Sequence, residues 1–495
     1  MKKTGLICLL LAFAMLLGGL VGCGNKTPAN EDSGTEPPAT TAEVTGDPTI
    51  ADTLAPSYNF DADYRILVRE VYKYEFDDSN ELGGTAVESA IYSRNKAVEQ
   101  RANVSVLLET FNGDWKDWTD GSVATLLRNN FNANKSAYDL IAAHSVYLSE
   151  MALEGIGMDL SEAPNVDLSK KWWSNGFYRE SNYNGAAYFM VGDICLTLYE
   201  FIQVIFFNED WLRDLDDSLD LYTMVDNGKW TFEELKRYTA LVTTDPTAGE
   251  DDAIYGFLSN GHCHRAIATA FDVNLLPVGE DGKRTCLRAV PESEEKKLQG
   301  YIDWFKDTAE TYGNEKVADT NKMFASRRTL FYANRLGEAI NIKSIMTDDY
   351  GVLPFPKYSV DQLSYRSCGR DTMSVAMIPA NVADREMAGT VLELMCMESR
   401  FLVTDTYYES ALKTRAFNDP KCRGMLDLIL ESMNPTFYTI YNSVLNYPAS
   451  LLGNVVQNGK KLQFATEYQR LRPEYVAGLT NLYEKLDALA AKKAA

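Results

Sequence analysis

Apolar and polar positions change rhythm several times along this chain, and each change predicts an element. Leu6 to Leu17 is an apolar run without a charged residue, preceded by Lys2 and Lys3 and followed by small residues up to Cys23. That order is a secretory signal over residues 1–22. The run is shorter than the roughly 20 apolar residues a membrane helix needs. From Gly24 to Ser57 the rhythm vanishes. No aromatic occurs there, Val44, Ile50 and Leu54 are the only large aliphatics, and Pro28, Pro37, Pro38, Pro48 and Pro56 break the stretch. Such a segment buries too little apolar surface to offset its ordering entropy, so residues 23–57 are expected to form a disordered tether.

The body starts at Tyr58 and alternates. Arg65 to Val68 (RILV), Val104 to Leu108 and Tyr138 to Ala142 read as strands. Between them, Glu88 to Arg101 and Val123 to Phe131 carry helical spacing. Strand, helix, strand, helix, strand predicts a parallel sheet covered by helices. Further strands are expected at Ala187 to Val191, Gln203 to Phe207 and Tyr350 to Pro356. Further helices are expected at Thr231 to Val242, Glu294 to Glu310 and Asp384 to Met397. Thr231 and Glu234 stand in capping-box order, with Trp230 packing the helix start. A last helix is expected to begin near Pro473, with Val476, Leu479, Leu482, Tyr483, Leu486 and Leu489 as its apolar stripe. A body of this length divides into lobes rather than growing one core.

Charge and chemistry narrow the function. With 48 Lys+Arg against 70 Asp+Glu, a net of −22, nucleic acid and anionic membrane surfaces are poor partners. There is no nucleophile elbow, no His-Glu-x-x-His and no phosphate loop. His144, His262 and His264 are the only histidines, and His262-Cys263-His264 is the one metal-like cluster; adjacent residues seldom point at one ion, and no further His exists to complete a zinc site there. No catalytic residue, metal or cofactor is expected. Cys195, Cys263, Cys286, Cys368, Cys396 and Cys422 are scattered and read as small buried hydrophobes, with pairing of Cys263 and Cys286 left open. Seven Trp and 28 Tyr supply rings with an apolar face and a polar tip, which suit a sugar's C–H face and hydroxyl rim. Trp172 and Trp173 are neighbours. On extended chain they point opposite ways, so one is expected in the core and one at a cleft or solvent.

Several stretches carry a resemblance. Leu20-Val21-Gly22-Cys23 resembles a lipobox, in which Cys23 is lipidated. Gly228 to Leu235, Met323 to Phe331, Tyr350 to Lys357, Leu168 to Trp173 and Tyr407 to Lys413 together resemble the bacterial extracellular solute-binding protein family 1. These are the carbohydrate ABC-transporter substrate-binding lipoproteins, here of clostridia-like flavour. Arg327 stands where that family commonly has a small residue, and Lys171 where it usually has Pro.

The resemblance implies an α/β, two-lobed periplasmic-binding-protein-like fold, with a ligand cleft between lobes joined by crossing segments. Lobe 1 would hold residues 58–200 and 368–406, and lobe 2 residues 201–367 and 407–495. The crossings would lie near Gly192 to Asn208, Ser367 to Ser374 and Thr404 to Thr414. Loops at the carboxyl ends of strands would line the cleft. Arg69, Tyr147, Trp172, Trp173, Asp193, Arg370, Asp371 and Tyr407 are the implied ligand residues, with Tyr72 as a further platform. The implied role is a lipid-anchored, monomeric, non-enzymatic subunit on the outer face of the cell membrane, extracellular or periplasmic. It would capture a sugar or oligosaccharide and deliver it to ABC permease subunits. A surface glycan-binding lipoprotein without a transport role, a receptor for a non-sugar solute and a glycoside hydrolase remain alternatives.

Overall fold

The computed structural model describes residues 47–77, 84–113, 121–242, 253–313, 317–458 and 462–494. Cys23 and the expected signal segment over residues 1–22 lie outside these residues. Two sheets organise the chain. The first has strand order β2-β1-β3-β9, with β1 at Ala62–Arg69, β2 at Val104–Phe111, β3 at Leu140–His144 and β9 at Ser374–Met377. The pairs β1–β2 and β1–β3 are parallel, and β9 joins antiparallel. The RILV run becomes the buried heart of β1, because a parallel strand covered by helices on both faces needs apolar residues at successive positions.

Helix α1 (Ala86–Ala102) connects β1 to β2. Thr85 and Glu88 close a full capping box at its start, and Asn103 stops it in the left-handed conformation. Helices α2 (Ser122–Asn132) and α3 (Ser145–Leu153) flank β3 in sequence.

The second sheet has order β6-β5-β7-β4-β8. Its strands are β4 (Gln203–Asn208), β5 (Tyr255–Ser259), β6 (Thr311–Gly313), β7 (Thr329–Arg335) and β8 (Tyr350–Leu353). Here β5 runs parallel to β6 and β7, while β4 runs antiparallel to β7 and β8.

Three stretches link the sheets. One leads through Gly192 to Gln203 into β4, and one through Cys368 to Asp371 into β9. The Gln203 backbone N–H donates to the Cys368 carbonyl at 2.9 Å and joins the two, while the Ile202 carbonyl accepts from Leu336 N–H, just past β7, at 2.7 Å. The third follows helix α5 of the chain's later part (Arg385–Glu398), after α4 (Glu338–Ile345) has closed the β7–β8 connection. It is wound as π-helix over Ser399–Thr404 and Thr406–Ala416 and packs on both α1 and α4.

Several expectations need correction. Ala187 to Val191 is not a strand of either sheet. Its backbone is taken by other partners: Ala187 N–H by Asp159 Oδ1, Ala187 C=O by Leu160, and only Met190 bridges to Ala376. The last helix, α6 (Phe464–Ala494), begins well before Pro473 and carries that proline inside. Packing overrides the proline penalty, because Phe464 and Tyr468 are fully buried and Tyr468 donates its hydroxyl to Leu287. Val476, expected on the stripe, is exposed. Finally, residues 47–57 lie against the body instead of forming tether. The Lys170 ammonium donates to the carbonyls of Pro48 and Ala51 at 3.0 Å each, Lys171 N–H donates to Thr49, and Asp52 pairs with Arg101 at 2.7 Å. Polar partners hold this stretch, so its poverty in apolar residues misleads.

The Thr231 helix spans Phe232–Thr239, shorter than expected. Thr231 accepts from Glu234 N–H at 3.4 Å, but the Glu234 carboxylate is given to Arg237. Trp230 is completely buried and donates its indole N–H to Pro354 at 3.0 Å.

Candidate functional site

The carboxyl ends of β1 and β3 in the first sheet, and of β5 and β7 in the second, converge on the crossing segments. Arg69 ends β1. Its guanidinium donates to the Gly113 carbonyl at 2.9 and 3.2 Å and to the Thr372 carbonyl at 3.2 Å, and lies 4.5 Å over the Tyr72 ring. Gly113 has a φ of +63°, and a Cβ there would stand 2.8 Å from Arg69 Cγ. That position therefore calls for glycine on both grounds. Arg370 lies 5.6 Å over Phe201, and its buried Nε has no hydrogen-bond partner among the described residues.

Asp371 joins the two halves. Its carboxylate accepts from Arg265 at 3.1 Å and from Asn442 at 2.7 Å, while its backbone carbonyl accepts from Ser145 of α3 at 2.8 Å. His144 stacks on Tyr147 at 4.2 Å. Burial, with the charges of Arg69 and Arg370 beside it, pushes the His144 pKa well below the usual imidazole range, so the ring is neutral.

Beside this polar junction opens a cavity of about 450 Å³, lined from both halves. Thr85, Glu88 and Ile91 come from α1, Leu196 and Glu200 from the first crossing, Ile340 and Lys343 from α4, and Tyr407, Ser410 and Arg415 from the π-helical segment. Tyr74 donates its hydroxyl to Glu200, whose carboxyl burial pushes upward. Arg335 at the end of β7 pairs with Glu338 of α4 at 2.7 Å. The Tyr407 hydroxyl is buried without a hydrogen-bond partner among the described residues. A volume of this size fits a small ligand with a few fixed polar contacts.

The eight residues singled out from sequence thus fall into three places. Arg69, Tyr147, Arg370 and Asp371 gather at the junction, and Tyr407 walls the cavity. Trp172, Trp173 and Asp193 lie elsewhere, around a separate hollow of about 360 Å³ that also touches Tyr199, Arg400 and Glu431. Both indoles are buried, against the expectation that one would face a cleft or solvent. They donate to the two oxygens of a single carboxylate, Glu393 of α5, at 2.8 and 2.9 Å. Two buried donors need acceptors, and this one acid satisfies both. Asp193 accepts from Tyr199 and stands 3.8 Å from Arg400, with burial pushing its pKa up to about 7.

Sequence reasoning missed Tyr74, Glu200, Arg265, Arg335 and Asn442. Arg335 carried a usable signal, since it ends a strand. Arg265 and Asn442 carried none, because only the packing of distant segments brings them to Asp371. Among the described residues no group of His, Cys, Asp and Glu could hold a metal ion. His264 Nδ1 lies 2.8 Å from the Tyr301 hydroxyl. All six body cysteines are buried and unpaired, Cys263 and Cys286 included.

This is the two-lobed α/β fold seen in the periplasmic binding proteins, with two halves joined by crossing segments. No protein-family description and no curated protein matches the chain. Solved structures do. The sugar-binding protein MalE from Xanthomonas citri is 14% identical, with a TM-score of 0.58 over 86% of this chain and 99% of that one. The galacto-N-biose/lacto-N-biose I-binding protein of a Bifidobacterium longum ABC transporter, in complex with lacto-N-biose, is 14% identical, with a TM-score of 0.56 over 85% and 97%. An ABC transporter solute-binding protein from Thermotoga lettingae, bound with α-D-tagatose, is 16% identical, with a TM-score of 0.53 over 84% and 100%.

Proposed function

We propose that the protein is the substrate-binding subunit of an ABC importer, capturing a sugar or oligosaccharide outside the membrane and passing it to permease subunits. One observation carries the reading: a cavity of about 450 Å³ whose walls come from both halves of a two-sheet fold, at the crossing segments. A ligand placed there touches both halves at once, so its binding favours the closed arrangement and signals occupancy to a partner. No turnover belongs to this role. The anchor is Cys23, in the order Leu20-Val21-Gly22-Cys23, which places the protein on the outer face of the cell membrane.

A thermal-shift screen against mono- and oligosaccharides tests the capture role, since a ligand bound only by the native state raises the melting temperature. At least one sugar should give a clear rise and remain chemically intact after incubation. Failure of every sugar, or hydrolysis of one, removes the reading. Cys23→Ala should move the protein from the membrane to the soluble fraction. Retention on the membrane after a high-salt wash would count against lipidation.

A further inference from the structure

The charges around the cleft do not match those of the chain. Acids outnumber bases 70 to 48 overall, yet four cations at the cleft make no ion pair among the described residues: Arg69, Arg370, Lys343 and Arg415. Neighbouring bases show the contrast. Arg265 is paired with Asp371, and Arg335 with Glu338.

The acids nearby are already engaged. Asp371 serves Arg265 and Asn442, Glu338 serves Arg335, Asn321 and Asn341, Glu200 accepts from Tyr74, and Glu88 caps the backbone of Thr85. The first two cations are also withdrawn from water. Arg69 is buried against neutral carbonyls, and the Nε of Arg370 is buried with no acceptor among the described residues. Burial draws both guanidinium pKa values downward, the cost of holding charge there without an anion.

Resting on the sugar-binding reading, we propose that the ligand is an acidic saccharide, one whose units bear a uronate carboxylate or a sulfate ester. A guanidinium presents a planar fork of N–H donors that matches the paired oxygens of such a group. Arg370 and Arg69 each lie over an aromatic ring, which sets the guanidinium while a ligand approaches. Lys343 and Arg415, at the wall of the cavity, supply positive potential at short range in a chain whose net charge of −22 repels anions at long range. A neutral sugar would leave these four charges without an ion-pair partner among the described residues.

The test compares the protein's binding of galacturonate, glucuronate, digalacturonate and a 6-sulfated N-acetylhexosamine with that of each compound's uncharged counterpart. The counterparts are the uronate methyl esters and the unsulfated sugar. Melting shifts and calorimetric titration are read at matched ionic strength. An acidic saccharide should raise the melting temperature, bind roughly tenfold or more tightly than its uncharged counterpart, and weaken as salt is raised. Arg370→Gln should narrow the gap between acid and ester. Arg415→Gln, at an exposed position, serves if that variant does not fold. Equal or tighter binding of the neutral forms would overturn the acidic assignment and leave the sugar reading intact. Absence of binding by saccharides of either kind would overturn both.

Discussion

The indole nitrogen of Trp173 lies 2.9 Å from Oε2 of Glu393, and this bond defines the tryptophan pair as part of the interior. Trp172 takes the other oxygen of the same carboxylate, so side chains more than 200 positions apart lock the 170s segment onto α5. Trp172→Ala and Trp173→Ala should each cost about 3–5 kcal/mol of stability. Sugar affinity per folded molecule should stay nearly constant. Denaturant unfolding with calorimetric titration separates the two quantities, and a stable variant blind to sugar would restore a ligand role to that ring.

The same carboxyl predicts a pH dependence. Burial pushes Glu393 up to about 7, against opposing hydrogen bonds from the two indoles, and burial likewise raises Glu75, Asp193 and Glu209 to about 7. Between about pH 4.5 and 7 the folded state then holds protons that the unfolded chain has released. Stability from these groups is complete below the unfolded value and is lost as pH rises through the folded one. A carboxyl whose pKa rises by one on folding contributes about 1.4 kcal/mol in this way. Unfolding midpoints should therefore be lower at pH 8 than at pH 5, and Glu393→Gln should shrink the difference. A midpoint that rises over this range would contradict the assignment.

At the start of the helix Phe232–Thr239, Thr231 supplies the cap and Trp230 the buried wedge. Thr231→Ala should cost about 1 kcal/mol. Thermal melting measures the loss. Thr231 is not among the residues that line the cavity, so titration with a bound sugar should return an unaltered affinity.

Residues 47–57 give a truncation test. A chain beginning at Asp47 keeps the carbonyls of Pro48 and Ala51 for the buried ammonium of Lys170, whereas one beginning at Ser57 loses them along with Asp52. The shorter chain should be less stable by about 1–3 kcal/mol, the cost of an unmet buried donor. Parallel melts of the two chains decide, and equal melting temperatures would show that water replaces those partners freely.

Sequence and structure divided the problem along a physical line. Elements with strong local periodicity were legible: the RILV run became β1, Glu88 to Arg101 lies inside α1, and Gln203 to Phe207 became β4. Ala187 to Val191 looked equally strand-like and failed, because a strand needs a neighbour and Asp159 and Leu160 took its backbone groups first. Pro473 looked like a beginning and is an interior residue, because burial of the preceding turn outweighs the local penalty.

The order and type of most strands and helices were determined by the sequence itself, since each depends on residues close together in the chain. Only the tertiary structure decided which polar groups meet. Asp371 finds Arg265 and Asn442, and Glu393 finds two indoles, across separations of 71 to 221 residues. Local pattern does not encode such encounters. They arise where buried donors and acceptors must be paired, and the packing of whole sheets and helices selects the partner.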